Sequence, residues 1–319
     1  MKIAAVFAGL CALIACAGGR AATPTIGGRI AFAIDVNGIS RLYSVRPDGK
    51  RLRRLTLPPT RQLLGGDSGP VWSPDGRRIA FERDLPSWGQ DRYQLYVTKS
   101  RGGGHDHALT SGPYDVMPAW APDGTRIAFS RVAISDDSAT SSIATVDPAS
   151  GAETAITSGA LDLSPAWSPD GRQIVFSRLV AGAPALETAE LYVASADGHE
   201  VRPLSVRGIS PSWSPDGSRI AFVSFADRNG RSCTAGDCAP NGELYTVAPS
   251  GQGLTRLTQT RSDDEHPTWS PDGGTIAFAS GFATRHGHSP WLMRMPAGGG
   301  KATPVLRRGW VLDPAWSPR

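Results

Sequence analysis

Cysteine is scarce in this chain: there are four in 319 residues, and two of them, Cys11 and Cys16, fall within the first 22. That scarcity excludes a disulfide-built scaffold and a four-cysteine zinc site in the body of the chain. An excess of one charge is also lacking, because 33 basic side chains face 29 acidic ones, for a net charge of +4. So small an excess leaves no electrostatic footprint for nucleic acid. The densest basic run, Lys50, Arg51, Arg53 and Arg54, alternates with Leu52 and Leu55 and reads as the wet face of an outer strand. The one long apolar run, Ile3 to Ala15, is thirteen residues and too short to span a bilayer.

Lys2 ahead of that run and the small residues behind it suit a signal peptide, so an exported protein of the periplasm or cell envelope is expected. Leu13-Ile14-Ala15-Cys16 resembles the lipobox of bacterial lipoproteins, in which the cysteine is lipidated; ordinary cleavage after Ala17 is the competing reading. Residues 1–22 are thus assigned to a signal peptide and short linker, with lipidated Cys16 as the sole expected membrane attachment. The body of the chain keeps Cys233 and Cys238, five apart in one loop, and a disulfide between them is expected in an oxidising compartment.

What the chain has in abundance is punctuation, with 37 Gly and 26 Pro, together with nine Trp that need burial. Many short strands joined by turns follow. Trp72, Trp120, Trp167, Trp213, Trp269 and Trp316 recur at spacings of 48, 47, 46, 56 and 47 residues. Five are followed by Ser/Ala-Pro-Asp-Gly and then by an Ile-Ala-Phe type strand (Ile79, Ile127, Ile174, Ile220, Ile276); another copy, Ile30-Ala-Phe32, opens the body of the chain. Leu-Tyr and Leu-Thr type strands complete each unit, so each repeat is a four-stranded antiparallel blade. In the Pro-Asp-Gly turn, Pro presets φ, Asp bonds its own backbone and Gly takes the positive φ.

A proline stands two residues before every one of these Trp, and proline cannot donate to a ladder. The Trp strand is therefore an edge strand, which in a propeller is the innermost one. The expected fold of residues 23–319 is all-β: a six-bladed propeller whose ring closes when Asp313 to Trp316 joins the N-terminal blade.

The combination Pro-x-Trp-Ser-Pro-Asp-Gly, Ile-Ala-Phe, Leu-Tyr and Arg-Leu-Thr resembles the TolB-like and related WD40-like propellers over everything after the leader. TolB carries an α/β domain ahead of its propeller; here the propeller pattern starts directly after the leader. The resemblance implies a binding or scaffold role on an envelope protein, peptide or glycan, with no enzyme activity and a monomeric state.

Five residues before Trp stand Asp67, Asp115, Asp162 and Asp264, with Glu265 and His266 beside the last and Asp313 displaced by two. Converging at the channel mouth, these groups would hold a cation or a basic group of a partner. Used identically in each repeat, the aspartates would instead bond backbone N–H groups of their own loops. No cofactor is expected, and a structural or channel-bound cation stays open. The rival to a binding role is a lyase or hydrolase acting on a polysaccharide or small molecule through His266, Asp264 and Asp115. Gly66-Asp67-Ser68-Gly69-Pro70 looks like the nucleophile segment of trypsin-like proteases, but the repeat already accounts for Asp67 and Pro70. His105-Asp-His107 and His286-Gly-His288 fall on opposite faces and read as solvated loop residues.

Overall fold

In the computed structural model the described residues are 27–36, 39–57, 65–85, 92–103, 106–112, 114–135, 138–158, 161–179, 186–226, 231–234, 237–281, 283–284, 287–288, 290–307 and 310–318. The leader with Cys16 lies outside them, as do Trp88, His105, Asp136, Asp137 and His286. The protein is an all-β propeller of small antiparallel sheets, with one three-residue 3-10 turn, Leu186–Thr188, among the described residues.

Each sheet starts on a Trp strand: Asp67–Trp72, Asp115–Trp120, Leu161–Trp167, Ile209–Trp213, Asp263–Trp269 and Trp310–Trp316. The Ile-Ala-Phe strands pair beside them, and their Phe rings (Phe32, Phe81, Phe129, Phe176, Phe222, Phe278) are fully buried. Each such ring contributes about 2 kcal/mol or more of apolar burial, packed between neighbouring sheets. Indole N–H groups tie each of three Trp strands to the Trp strand before it around the ring: Trp72 donates to the Ala315 carbonyl, Trp167 to Ala119 and Trp269 to Ser212, at 3.1, 3.2 and 3.1 Å.

The Pro-Asp-Gly turns form as their chemistry dictates. In the first, Asp75 Oδ1 accepts from Ser73 Oγ at 2.6 Å and from the Arg77 N–H at 3.0 Å, and Gly76 sits at φ 67°. The two ends of the chain also meet as expected. Trp310–Trp316 pairs antiparallel with Ile30–Val36, placing Trp316 opposite Ile30 and Val311 opposite Ile34.

The expectation of six separate blades needs correcting. The described residues give four separate four-stranded sheets and one eight-stranded sheet, besides two two-stranded hairpins. In the large sheet, the strand Ser138–Val146 carries an outer partner of only three residues, Glu153–Ala155. Its uncovered start makes one parallel pair, Ser141 with Leu161, reinforced by Ser141 Oγ donating to the Asp162 carbonyl at 2.8 Å. That single parallel pair is what joins the two four-stranded units into one sheet. Cys233 and Cys238 face each other in the register of one hairpin, Arg231–Thr234 with Asp237–Pro240; their side chains lie outside the described part.

Candidate binding site in the channel

Every Trp strand is interrupted at one place, three residues before its Trp and directly before its Pro. There the backbone enters the left-handed region: Gly69 at φ 55°, Met117 at 56°, Ser164 at 55°, Ser210 at 52°, His266 at 51° and Asp313 at 48°. Five of these six are not glycine, and each such residue costs about 1–2 kcal/mol. Pairing with the Ile-Ala-Phe strand shifts register at the same place, as between Ser68 and Val71 or Glu265 and Thr268. The bulge turns its residue inward, so residues from all six Trp strands line one cavity of about 320 Å³ along the axis.

The prolines and small residues of the lining repeat, but the inward residues do not. One sector holds Met117, Ser164 and Ser210. The other holds His266, Asp313 and, reaching in from the strand Arg78–Asp84, Glu82. His266 Nε2 lies 3.2 Å from Asp313 Oδ1, and Asp313 Oδ2 accepts the Gly69 N–H at 3.2 Å. Glu82 Oε1 accepts the Met117 N–H at 2.6 Å and Oε2 accepts from Ser68 Oγ at 3.3 Å. Gly69 makes room for this reach, since a Cβ there would sit 2.6 Å from Glu82 Oε1. Burial, and then the Asp313 charge, push the Glu82 carboxyl up to about 7, against the lowering influence of its two hydrogen bonds and His266. The cavity therefore presents two carboxyls and an imidazole, one carboxyl poised near neutrality.

The repeated aspartates are placed differently. Asp67, Asp115, Asp162 and Asp264 are fully buried and do not line the cavity. Three are clamped by an arginine sixteen residues later: Arg83 Nε to Asp67 at 2.7 Å, Arg131 to Asp115 at 2.7 Å and Arg178 to Asp162 at 2.6 Å. In these three an arginine on the adjacent strand takes up the charge, and Asp115 Oδ2 also accepts the Gly112 N–H of its own loop at 3.2 Å. The guanidiniums in turn lie over aromatic faces, Arg83 at 4.7 Å from the Tyr96 ring centre and Arg178 at 4.6 Å from that of Tyr192.

In the fourth copy Ser280 stands where the arginine would be. It donates to Asp264 at 2.5 Å, and burial, with nearby Glu243 adding to it, pushes the Asp264 carboxyl up to about 7. Glu265 is half-buried on the same strand but outside the cavity lining. Of the sequence-nominated residues, His266 and Asp313 are the two that the fold brings together in the channel. Glu82 was missed; its signal is that the other copies carry Ala33, Ser130, Ser177, Val223 or Ala279 after the same Phe. Among the described residues, no group of three or more His, Cys, Asp or Glu has the geometry to hold a metal ion.

The family model described as the TolB beta propeller domain matches residues 14–207. The chain belongs to the TolB β-propeller family. Solved structures of the same shape include TolB from Acinetobacter baumannii, at 22% identity and a TM-score of 0.68, covering 92% of this chain and 68% of that one. A putative TolB from Agrobacterium tumefaciens matches at 20% identity and 0.67, covering 92% and 94%. An oligogalacturonate lyase from Vibrio parahaemolyticus matches at 16% identity and 0.54, covering 88% and 75%. At such identities the likeness shows the fold, which hosts both TolB proteins and an enzyme.

Proposed function

We propose that this TolB-family chain is a non-catalytic, exported binding propeller of six blades that takes a basic group of an envelope protein, peptide or glycan into its channel. The blade count treats the eight-stranded sheet as two blades bridged by the Ser141–Leu161 pair; the six Trp strands around one cavity support it. The observation that carries the binding role is the one-sided cluster of Glu82, His266 and Asp313 against the neutral sector of Met117, Ser164 and Ser210. A cationic group entering there would meet two carboxyls whose hydrogen bonds hold them in place, and would draw the proton from Glu82. Capture of partners from an envelope extract, with wild type beside a Glu82→Gln/Asp313→Asn variant, tests this. The reading requires the captured partner to be lost in the variant and to protect the Asp263–Trp269 segment from hydrogen exchange. Equal capture by both proteins would contradict it.

The alternative is a propeller enzyme, and one observation favours it: an imidazole paired with a carboxylate, beside a carboxyl near neutrality, is a usable acid–base set. The fold likeness to oligogalacturonate lyase suggests the substrate class to assay. Turnover of an oligogalacturonide lost in His266→Ala would establish that reading and displace the first.

A further inference from the structure

The small net charge of this chain hides a segregation. Residues 27–110 carry 14 Lys and Arg against 8 Asp and Glu, whereas residues 111–319 carry 17 against 21. The excess gathers on the Pro-Asp-Gly face, opposite the variable loops. The outer strand Arg53–Arg54 of the first sheet is exposed, as is Arg51 before it. The turn around Gly102 abuts that strand so closely that a Cβ on Gly102 would lie 3.1 Å from the carbonyls of both Arg54 and Leu55. Ser100 in this turn donates its N–H to the Arg77 carbonyl at 2.9 Å, so Lys99 and Arg101 are set beside Arg77.

Arg51, Arg53, Arg54, Arg77, Lys99 and Arg101 thus form one continuous band across two sheets, and none makes an ion pair among the described residues. Their mutual repulsion is felt nearby: after burial, the charges of Arg53, Arg46 and Arg51 hold the Arg29 guanidinium below its usual range.

Two further features point to what covers the band. First, Leu52 is 39% exposed amid the arginines, which suits a surface with an apolar layer behind its charge. Second, a groove of about 730 Å³ lined by Asp75, Arg77, Arg78, Lys99, Arg101 and His107 carries on its wall the buried Thr98 hydroxyl, which has no partner among the described residues, while Asp75 is already engaged by Ser73 Oγ and the Arg77 N–H. Beside it the Arg78 guanidinium lies over the Trp120 ring, 4.8 Å from its centre.

We infer that this face is a docking surface for a lipid bilayer bearing anionic phosphate headgroups, with the arginine band on the phosphates, Leu52 in the interface and a headgroup in the Thr98 groove. Basic side chains near such a surface each contribute about 1 kcal/mol of attraction, screened by salt. The attachment is independent of the channel, so the propeller would lie with its variable-loop face turned toward partners.

The test is co-sedimentation of the full exported chain with phosphatidylcholine vesicles, with and without phosphatidylglycerol. An attached acyl chain or apolar leader would serve both kinds of vesicle, so the readout is the anionic preference. Wild type should bind anionic vesicles at least about tenfold better at low salt than neutral ones. That preference should vanish in Arg53→Glu/Arg54→Glu/Arg101→Glu and persist in the charge-matched control Arg172→Glu/Arg202→Glu/Lys301→Glu, with both variants melting as wild type does. Leu52→Ser should weaken vesicle binding while leaving retention on a soluble polyphosphate unchanged. Absence of anionic preference, equal loss in the control, or binding of polyphosphate but not vesicles would each overturn the assignment.

Discussion

Two rings of residues run around this propeller two positions apart, and they behave in opposite ways. Five residues before four of the six Trp the repeat places an aspartate that is buried and, in three copies, clamped by arginine. Three residues before each Trp it places a strained, inward-facing residue whose identity changes from copy to copy. The first ring fixes geometry, because a buried ion pair cannot lose one partner cheaply. The second uses that geometry, because the bulge imposes a direction while leaving the side chain free. Chemistry therefore collects where the repeat is constant in backbone and variable in side chain.

The largest effect that separates the rings is expected from Arg178→Ala. It strands the fully buried Asp162 carboxylate and should cost about 3–5 kcal/mol in urea unfolding, with capture of the channel partner unchanged at temperatures where the protein is folded. Next is a pair of equal substitutions. Asp162→Asn breaks the bidentate clamp and should destabilise by about 2 kcal/mol or more at pH 8. Asp264→Asn should be near neutral there, because burial already disfavours its charge. Equal losses would erase the distinction drawn between the arginine-bearing copies and the fourth.

The pH profile carries a smaller signature. The Glu82 and Asp264 carboxyls are raised to about 7 from ordinary values of 4.5 and 3.8. The unfolded chain releases these protons first, so their contribution to stability is fully present below about 4 and is lost as pH rises through 7. Thermal melting should fall between pH 5 and 8, and by less in Glu82→Gln. Smallest is the backbone term. Ser210→Gly should stabilise by about 1 kcal/mol through relief of the left-handed strain, whereas Gly69→Ala should destabilise by pressing a methyl against Glu82.

The frame was legible because every element of it recurs. Trp, the Pro two residues before it, the Pro-Asp-Gly turn and Ile-Ala-Phe each report the same local physics several times over, and the pairing of Trp316 with Ile30 follows from the units being incomplete at both ends. The merging of two units was not legible, since it turns on a single parallel pair, Ser141 with Leu161. The arginine clamps were written in the sequence as three Asp–Arg pairs sixteen apart, but such an offset means nothing until the hairpin register sets Asp115 opposite Arg131. Channel residues are harder still. Gly, Met, Ser, Ser, His and Asp share no property as side chains; what they share is a following proline, and Glu82 occurs in its position only once.

Titration of the carboxyl carbons by NMR tests the channel most directly. Two side-chain carboxyls should titrate near pH 7; one should disappear in Glu82→Gln and move to lower pH in Asp313→Asn, where the neighbouring charge that raises it is gone. If every carboxyl titrates below about 5.5, or the Glu82 signal ignores Asp313, the clustered channel site described above does not exist.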